Sequence, residues 1–257
     1  MLRLFTDIRD LSLSATDGEL GTIKDAYFDD HQWTLRYLVV TTGSWLSGRS
    51  VLISPASIEG VSWDNKRLEL NLTREQIKNA PSQDSDKPVS RQYETQLLDY
   101  YGYPYYWSGP TWGGIADGGA FAAATAEMLR RNEAGEVPRE QGDPHLRSAK
   151  EVAGYGIRAV DDSIGEVDDF LFDDSNWSLR YFVVDTRKWL PGRRVLVATE
   201  WITDVNWDHR KVHVAMSLEE VRNSPEFDVS ALSEDQEQEL YQHYGRRPGA
   251  GIQAQIR

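Results

Sequence analysis

The apolar positions of this chain fall in short runs separated by polar turns, a pattern typical of β-strands. The runs at 35–40 and 179–184 are rich in β-branched and aromatic residues, which suit a pleated, half-buried surface. The predicted strands are residues 22–28, 35–40, 50–53, 58–63 and 67–70 in one half, and 166–172, 179–184, 194–197, 202–207 and 211–214 in the other. Five or six short strands without a long helix between them favour a small antiparallel β-barrel in each half.

The same pattern occurs twice along the chain. Residues 17–81 align without a gap to residues 161–225 at a constant offset of 144, and about 26 of the 65 paired positions are identical. A repeat of this length is a whole domain rather than a propeller blade or a solenoid turn. We therefore interpret the chain as a tandem duplication of one small module.

Helix signals follow each barrel pattern. Thr73 and Ser217 begin capping boxes, in which the hydroxyl accepts a hydrogen bond from a backbone N–H that the helix leaves unpaired. Residues 90–101 and 233–244 predict a second helix in each half. A glycine follows each of these helices and fits the left-handed position after a helix end.

The repeat divides the chain into six predicted segments. They are a barrel at 1–81, a helical extension at 82–102, an aromatic and Ala-rich linker at 103–147, a second barrel at 148–225, a second helical extension at 226–245 and a tail at 246–257. The linker has no counterpart in the other half, and its last part is polar with several Gly and Pro residues.

Charge and cysteine content exclude several classes of function. The net charge of −13 disfavours a nucleic-acid partner, because such affinity comes largely from Lys and Arg that replace counterions. Without cysteine the chain has no disulfide framework and no thiolate chemistry. Residues 1–7 lack the apolar core of a signal peptide, and no stretch approaches the roughly 18 apolar residues of a membrane span. We therefore expect a cytoplasmic protein without a membrane span.

Two carboxylate pairs are the first candidates for chemistry. Asp29 and Asp30 recur as Asp173 and Asp174, each pair in a turn where both oxygens could reach one cation. A Ca²⁺ site needs six to eight oxygen ligands, and the sequence does not offer the others. Turn formation, with Asp bonding its own backbone, is the preferred interpretation. Whether either pair ever binds a cation stays open.

Other catalytic patterns have no support in the sequence. His209 and His213 straddle a hairpin turn and its strand, where four residues span roughly 13 Å, too far for one zinc ion. No Ser/His/Asp order recurs in both halves, and no Gly-rich phosphate loop follows a strand. We therefore expect no enzymatic activity, no cofactor and no resident metal.

A repeated loop is a candidate interaction site. Trp45 and Arg49 precede a strand, and Trp189 and Arg193 occupy the equivalent loop. Function often resides in such loops, and Trp and Arg are enriched in interface hot spots. The favoured alternative is that the tryptophan folds back to cap the barrel. If both halves use the loop for binding, the expected partner is the other half.

An aromatic stretch is the second candidate interaction site. Tyr105, Tyr106 and Trp107 lie in the linker, where they either pack between the barrels or form an exposed docking segment. Packing is favoured, because exposed aromatic surface lowers solubility. Trp63 and Trp207 are expected in the barrel cores.

The order of the repeated motifs resembles the PRC-barrel family. The signal is Gly21, then residues 28–29, 37–40 and 51–55, and the same order again from Gly165. The resemblance covers roughly 75 residues of each half. It implies a small six-stranded barrel and a non-catalytic role in docking onto a partner.

Members of this family include the cytoplasmic domain of the photosynthetic reaction centre H subunit and the C-terminal domain of a ribosome-maturation factor. The favoured hypothesis is a protein-binding or assembly module with a partner still to be identified. The alternatives are an accessory to a photosynthetic or membrane electron-transfer complex and an RNA-processing factor of ribosome maturation. The sequence leaves open whether the barrels pair within one chain or form a homodimer.

Overall fold

The chain folds into mainly β structure with short helices, as predicted. A computed structural model of the chain describes residues 1–46, 48–81, 89–107, 145–186, 194–225 and 232–246. The chain forms two compact units. Unit 1 contains Met1–Leu11, Ile23–Leu38 and Arg147–Arg257, and unit 2 contains Ser12–Thr22 and Val39–Leu146.

The elements recur in the same order in the two copies of the repeat. The first copy contains β1 (Leu2–Leu4), α1 (Phe5–Arg9), β2 (Ser12–Ala15), β3 (Gly18–Asp29), β4 (Thr34–Thr42), β5 (Ser50–Ile53), β6 (Ile58–Ser62), β7 (Arg67–Leu70), α2 (Arg74–Asn79) and α3 (Arg91–Tyr101). The second copy contains β8 (Leu146–Ser148), α4 (Ala149–Val152), β9 (Gly156–Arg158), β10 (Ser163–Asp173), β11 (Leu179–Asp185), β12 (Arg194–Ala198), β13 (Ile202–Asn206), β14 (Lys211–Val214), α5 (Leu218–Arg222) and α6 (Glu234–His243).

Two seven-stranded sheets result. One has the order β5-β4-β3-β2-β7-β6 with β8 added to β3, and the other has the order β12-β11-β10-β9-β14-β13 with β1 added to β10. In each sheet, the first and last strands of this order are consecutive in the chain. One 3-10 turn joins β5 to β6, and another joins β12 to β13. The sheets are therefore barrel-like in connectivity, although hydrogen bonds do not close them among the described residues.

The predicted antiparallel arrangement holds for most of the described strand pairs, but each sheet also contains a parallel pair. Strand β2 pairs with β7, and β9 pairs with β14, in parallel. Each of these pairs joins an early strand of a copy to its last strand. The two paired strands are not consecutive in the chain, because the other strands of the copy lie between them in sequence. No hairpin turn therefore imposes an antiparallel direction. Each sheet also has one strand more than the six that the resemblance implies.

The structure explains the two motif glycines and confirms the predicted helix caps. A Cβ atom built on Gly21 or Gly165 would lie 2.0 Å from the carbonyl oxygen of Thr41 or Asp185, so only glycine permits this close approach of the backbones. Both predicted capping boxes form at the starts of α2 and α5, and α3 ends at Gly102 with a left-handed φ of 70°.

Candidate functional site

The start of the chain pairs with the second copy within unit 1. Strand β1 lies antiparallel to the last part of β10, with Leu2 opposite Asp173 and Leu4 opposite Leu171. Strand β9 of the second copy pairs with the first part of β10 instead. Besides β11, the long strand β10 thus pairs with β9 of its own copy and with β1 of the other copy.

The second copy makes the equivalent contact with the first copy. Strand β8, at the position equivalent to β1 under the offset of 144, pairs with β3 of the first copy. We call residues 2–9 (β1 and α1) the first hook, and residues 146–152 (β8 and α4) the second hook. The strands β10 and β3 are the receiving strands.

Equivalent arginines of the two hooks form equivalent ion pairs. The Nε atom of Arg3 lies 3.3 Å from Oδ2 of Asp174, and the Nε atom of Arg147 lies 2.9 Å from Oδ2 of Asp30. The Asp30 side chain is only 8% exposed, so water screens this pair less than a surface pair. Both pairs join residues that belong to different copies.

A second carboxylate of each receiving strand accepts hydrogen bonds from a hook. Asp169 accepts a 2.6 Å bond from the hydroxyl of Thr6, and Asp25 accepts a 2.5 Å bond from the hydroxyl of Ser148. Backbone N–H groups of α1 and α4 donate to the same two carboxylates. Burial raises the pKa of Asp169 above its ordinary value, and the hydrogen bonds from Thr6 and Phe170 oppose this shift.

Two equivalent tryptophans accept reciprocal backbone hydrogen bonds between the copies. The N–H of Leu35 donates to the carbonyl oxygen of Trp177 at 2.9 Å, and the N–H of Leu179 donates to the carbonyl oxygen of Trp33 at 2.6 Å. Trp33 and Trp177 have φ values of 49° and 60°. A left-handed backbone is strained for bulky residues and persists only where the surroundings enforce it.

Aromatic side chains from both copies pack behind these bonds. The ring centroid of Trp33 lies 5.9 Å from that of Phe28 and 5.5 Å from that of Phe182. Phe170 closes the cluster, at 5.9 Å from Phe28 and 5.1 Å from Phe182. The three phenylalanines are at most 1% exposed. Such pairs contribute about 0.5–1.5 kcal/mol each beyond their buried area. Within unit 1, the two copies thus share one core.

The carboxylate pairs singled out from the sequence serve turns and ion pairs. Asp29 accepts a 2.8 Å bond from the N–H of His31 and a 3.0 Å bond from Arg36, and the Asp29 and Arg36 side chains are both buried. Asp173 accepts bonds from the N–H and hydroxyl of Ser175. Burial would raise the pKa of Asp173, but these bonds, together with the positive charges of the Met1 amino group and Arg180, outweigh burial and lower that pKa.

The loop tryptophan of the first copy folds back onto the sheet. The indole Nε1 of Trp45 donates a 2.7 Å hydrogen bond to the carbonyl oxygen of Leu20. The guanidinium carbon of Arg74 lies 5.4 Å from the Trp45 ring centroid. Arg49 donates to the carbonyl oxygen of Ala80 at 3.3 Å. Their predicted counterparts Trp189 and Arg193 lie outside the described residues.

The aromatic stretch packs against α3 in unit 2. The hydroxyl of Tyr106 donates a 2.8 Å hydrogen bond to Glu94, whose side chain is fully buried. The guanidinium carbon of Arg91 lies 3.9 Å from the ring centroid of Trp107. Tyr105 stacks on Trp107 at 5.0 Å and donates to Asp99 of α3.

The expectation that Trp63 and Trp207 are core residues was wrong. Both are only partly buried. Trp207 lies next to the turn of a hairpin. The guanidinium carbon of Arg147 in the second hook lies 4.0 Å from its ring centroid, and the ring centroid of Tyr155 lies 6.1 Å from it. A residue at a strand end next to a tight turn has few neighbours on one side, and this position was visible in the sequence.

The hooks were missed by the sequence analysis. Their strands have three residues each, too few for an alternating pattern to stand out. One signal was available, because the dipeptide Leu2-Arg3 recurs as Leu146-Arg147 at the same offset of 144. The repeat of elements therefore begins before residue 17.

The architecture defines a mainly β protein whose two sheets each take a strand from the other copy of the repeat. Residues 3–77 match the family model of the PRC-barrel domain, so this part of the chain contains such a domain. The second copy lies outside the match, so its origin by duplication stays a prediction. No curated protein matched the chain. Among the residues that the structure describes, the helices are too short or too polar to traverse a bilayer.

Proposed function

We propose that the protein is a non-catalytic binding or assembly module whose partner is another protein. The observation that carries this proposal is the PRC-barrel domain at residues 3–77. The resemblance to this family implies a role in docking onto a partner. The net charge of −13 agrees with a protein partner rather than a nucleic acid.

The use of the polar side chains supports a non-catalytic role. Asp29 closes a turn and pairs with buried Arg36, while Asp30 pairs with Arg147 of the second hook. Asp25 and Asp169 bind the two hooks. These carboxylates already accept hydrogen bonds that hold the fold.

Two Trp–Arg pairs of unit 2 are the proposed contact points for the partner. Trp45 lies beside Arg74, and Trp107 lies beside Arg91. Both rings are partly exposed. A guanidinium held against an indole face is stabilised by the ring quadrupole, and these two residue types are enriched in hot spots.

Site-specific photo-crosslinking in native cells tests this proposal. A photoreactive amino acid replaces Ser44, an exposed residue next to Trp45, and in the matched control it replaces the exposed Glu59 of β6. We expect one protein, identified by mass spectrometry, to crosslink at position 44 and not at position 59. Turnover of a small molecule by the purified chain, with no protein crosslinked at either position, would contradict the proposal.

Fractionation of the crosslinked product separates the narrower hypotheses. A product in the membrane fraction supports an accessory of a photosynthetic or membrane electron-transfer complex. Co-sedimentation with a small ribosomal subunit supports a role in ribosome maturation. A product in neither fraction supports a more general assembly module.

A further inference from the structure

We propose that the hooks are exchangeable between chains, so that a second copy of this protein can supply the hook that a receiving strand binds. The exchange would join the first copy of the repeat in one chain to the second copy in another chain. It is independent of the proposed function, because it depends only on contacts between the two copies of the repeat.

The two hook contacts use the same chemistry. Each receiving strand offers one carboxylate within the strand and one directly after its end, at equivalent positions: Asp25 and Asp30 for β3, and Asp169 and Asp174 for β10. Each hook brings an arginine, a hydroxyl and backbone N–H groups to them. Backbone pairing and these polar contacts do not depend on which chain carries the hook. A hook from a second chain can therefore make the same contacts, which is how domain swapping works.

The contact between the copies does not require residues 108–144, the central part of the linker. The hook strands, the reciprocal bonds at Trp33 and Trp177 and the aromatic cluster are all made by residues outside 108–144. A covalent connection between two binding modules acts by raising their effective concentration, without adding a contact. The two halves should therefore stay associated after the linker is cut.

Cutting the full-length protein tests the association. A protease recognition sequence is inserted between Asn132 and Glu133, the chain is purified intact and then cut, and native mass spectrometry follows. We expect one complex that contains both halves and has the mass of the intact chain, 29.3 kDa plus the inserted residues. Two separate halves would overturn the proposal.

Mixing two preparations tests the exchange itself. One cut preparation carries heavy isotopes and the other does not. We expect about half of the complexes at equilibrium to combine a heavy half with a light half, as mass action requires for equivalent partners. Only unmixed complexes, even after unfolding in urea and refolding together, would contradict exchange between chains.

Hook variants test which contacts hold the halves together. Arg3→Ala with Arg147→Ala removes both ion pairs and should raise the dissociation constant of the cut halves roughly tenfold. Arg9→Ala, an exposed position on the first hook, is the matched control and should leave the constant unchanged. If the double alanine variant does not fold, the double lysine variant keeps the charges and should show a smaller increase. An unchanged constant in the folded double variant would overturn the role of the hooks.

Discussion

The backbone N–H of Leu179 donates a 2.6 Å hydrogen bond to the carbonyl oxygen of Trp33. The two residues belong to different copies of the repeat. The equivalent bond in the other direction joins Leu35 to Trp177 at 2.9 Å. Both tryptophans have a positive φ. A left-handed backbone costs a non-glycine residue about 1–2 kcal/mol, so the bonds and ring contacts must compensate for that cost in both copies.

Substitution of Trp33 should reverse the usual order of alanine and glycine. Either change removes the ring from the aromatic cluster and should lower the free energy of unfolding by about 2–3 kcal/mol. The left-handed φ of 49° favours glycine, so Trp33→Gly should be more stable than Trp33→Ala by about 1 kcal/mol. Urea denaturation measures both variants.

Gln96 supplies the matched control for this reversal. It is an exposed residue within α3, where alanine should be more stable than glycine by about 1 kcal/mol. The same order at positions 33 and 96 would contradict the strained backbone at Trp33.

The ion pair of Arg147 and Asp30 should show a measurable coupling energy. Its atoms lie 2.9 Å apart, and the two side chains are 25% and 8% exposed. A double-mutant cycle with alanine at both positions should give a coupling of about 1 kcal/mol, because partial burial reduces screening by water. The free energy of unfolding is measured for the two single variants and the double variant.

A surface pair serves as the control for that cycle. Arg67 and Glu69 lie 3.4 Å apart, but their side chains are 49% and 57% exposed. Their coupling should stay below about 0.5 kcal/mol. Equal couplings in the two cycles would mean that the hook contact is no stronger than an ordinary surface pair.

Loss of the Tyr106 hydroxyl should destabilise α3. Tyr106→Phe removes a hydrogen bond to the fully buried carboxylate of Glu94, and we expect a loss of about 1–3 kcal/mol in the free energy of unfolding. Hydrogen exchange of the α3 amides should increase as well. Tyr105→Phe removes a bond to the exposed Asp99 and should cost less than about 0.5 kcal/mol. Similar losses in both variants would contradict a special role of the buried carboxylate.

Stability should fall at alkaline pH partly through Tyr93. Burial raises the pKa of Tyr93 from its ordinary value of 10.0 to about 12, although nearby Arg49 acts in the opposite direction. The unfolded chain therefore releases this proton first. The contribution of Tyr93 is complete below pH 10 and disappears as the pH rises toward 12.

Tyr93→Phe is the variant that isolates this effect. Other buried tyrosines shift in the same direction, so the informative quantity is the difference in free energy of unfolding between the two proteins. From pH 8 to pH 12 this difference should move in favour of the phenylalanine variant, as measured by urea denaturation at each pH. A difference that does not change with pH would exclude an elevated pKa at Tyr93.

Local features of the fold could be predicted from the sequence. The main strands depend on short apolar runs rich in β-branched and aromatic residues. The capping boxes depend on a hydroxyl three residues before an acceptor, and Gly102 after α3 depends on a positive φ. Each of these is decided by residues close in the chain. Gly21 and Gly165 were visible in the sequence as parts of a repeated motif. The reason that glycine is required there is the close approach of a neighbouring strand, which is not a local feature.

The sequence by itself determined that two similar strand-rich segments form this protein. Only the tertiary structure decided that each receives the hook of the other, that Trp33 and Trp177 take a left-handed backbone and that Tyr106 binds buried Glu94. The physical reason is that these contacts join residues far apart in the chain. A three-residue strand or a single hydroxyl carries no periodic signal, and its role depends on the neighbour that folding brings to it.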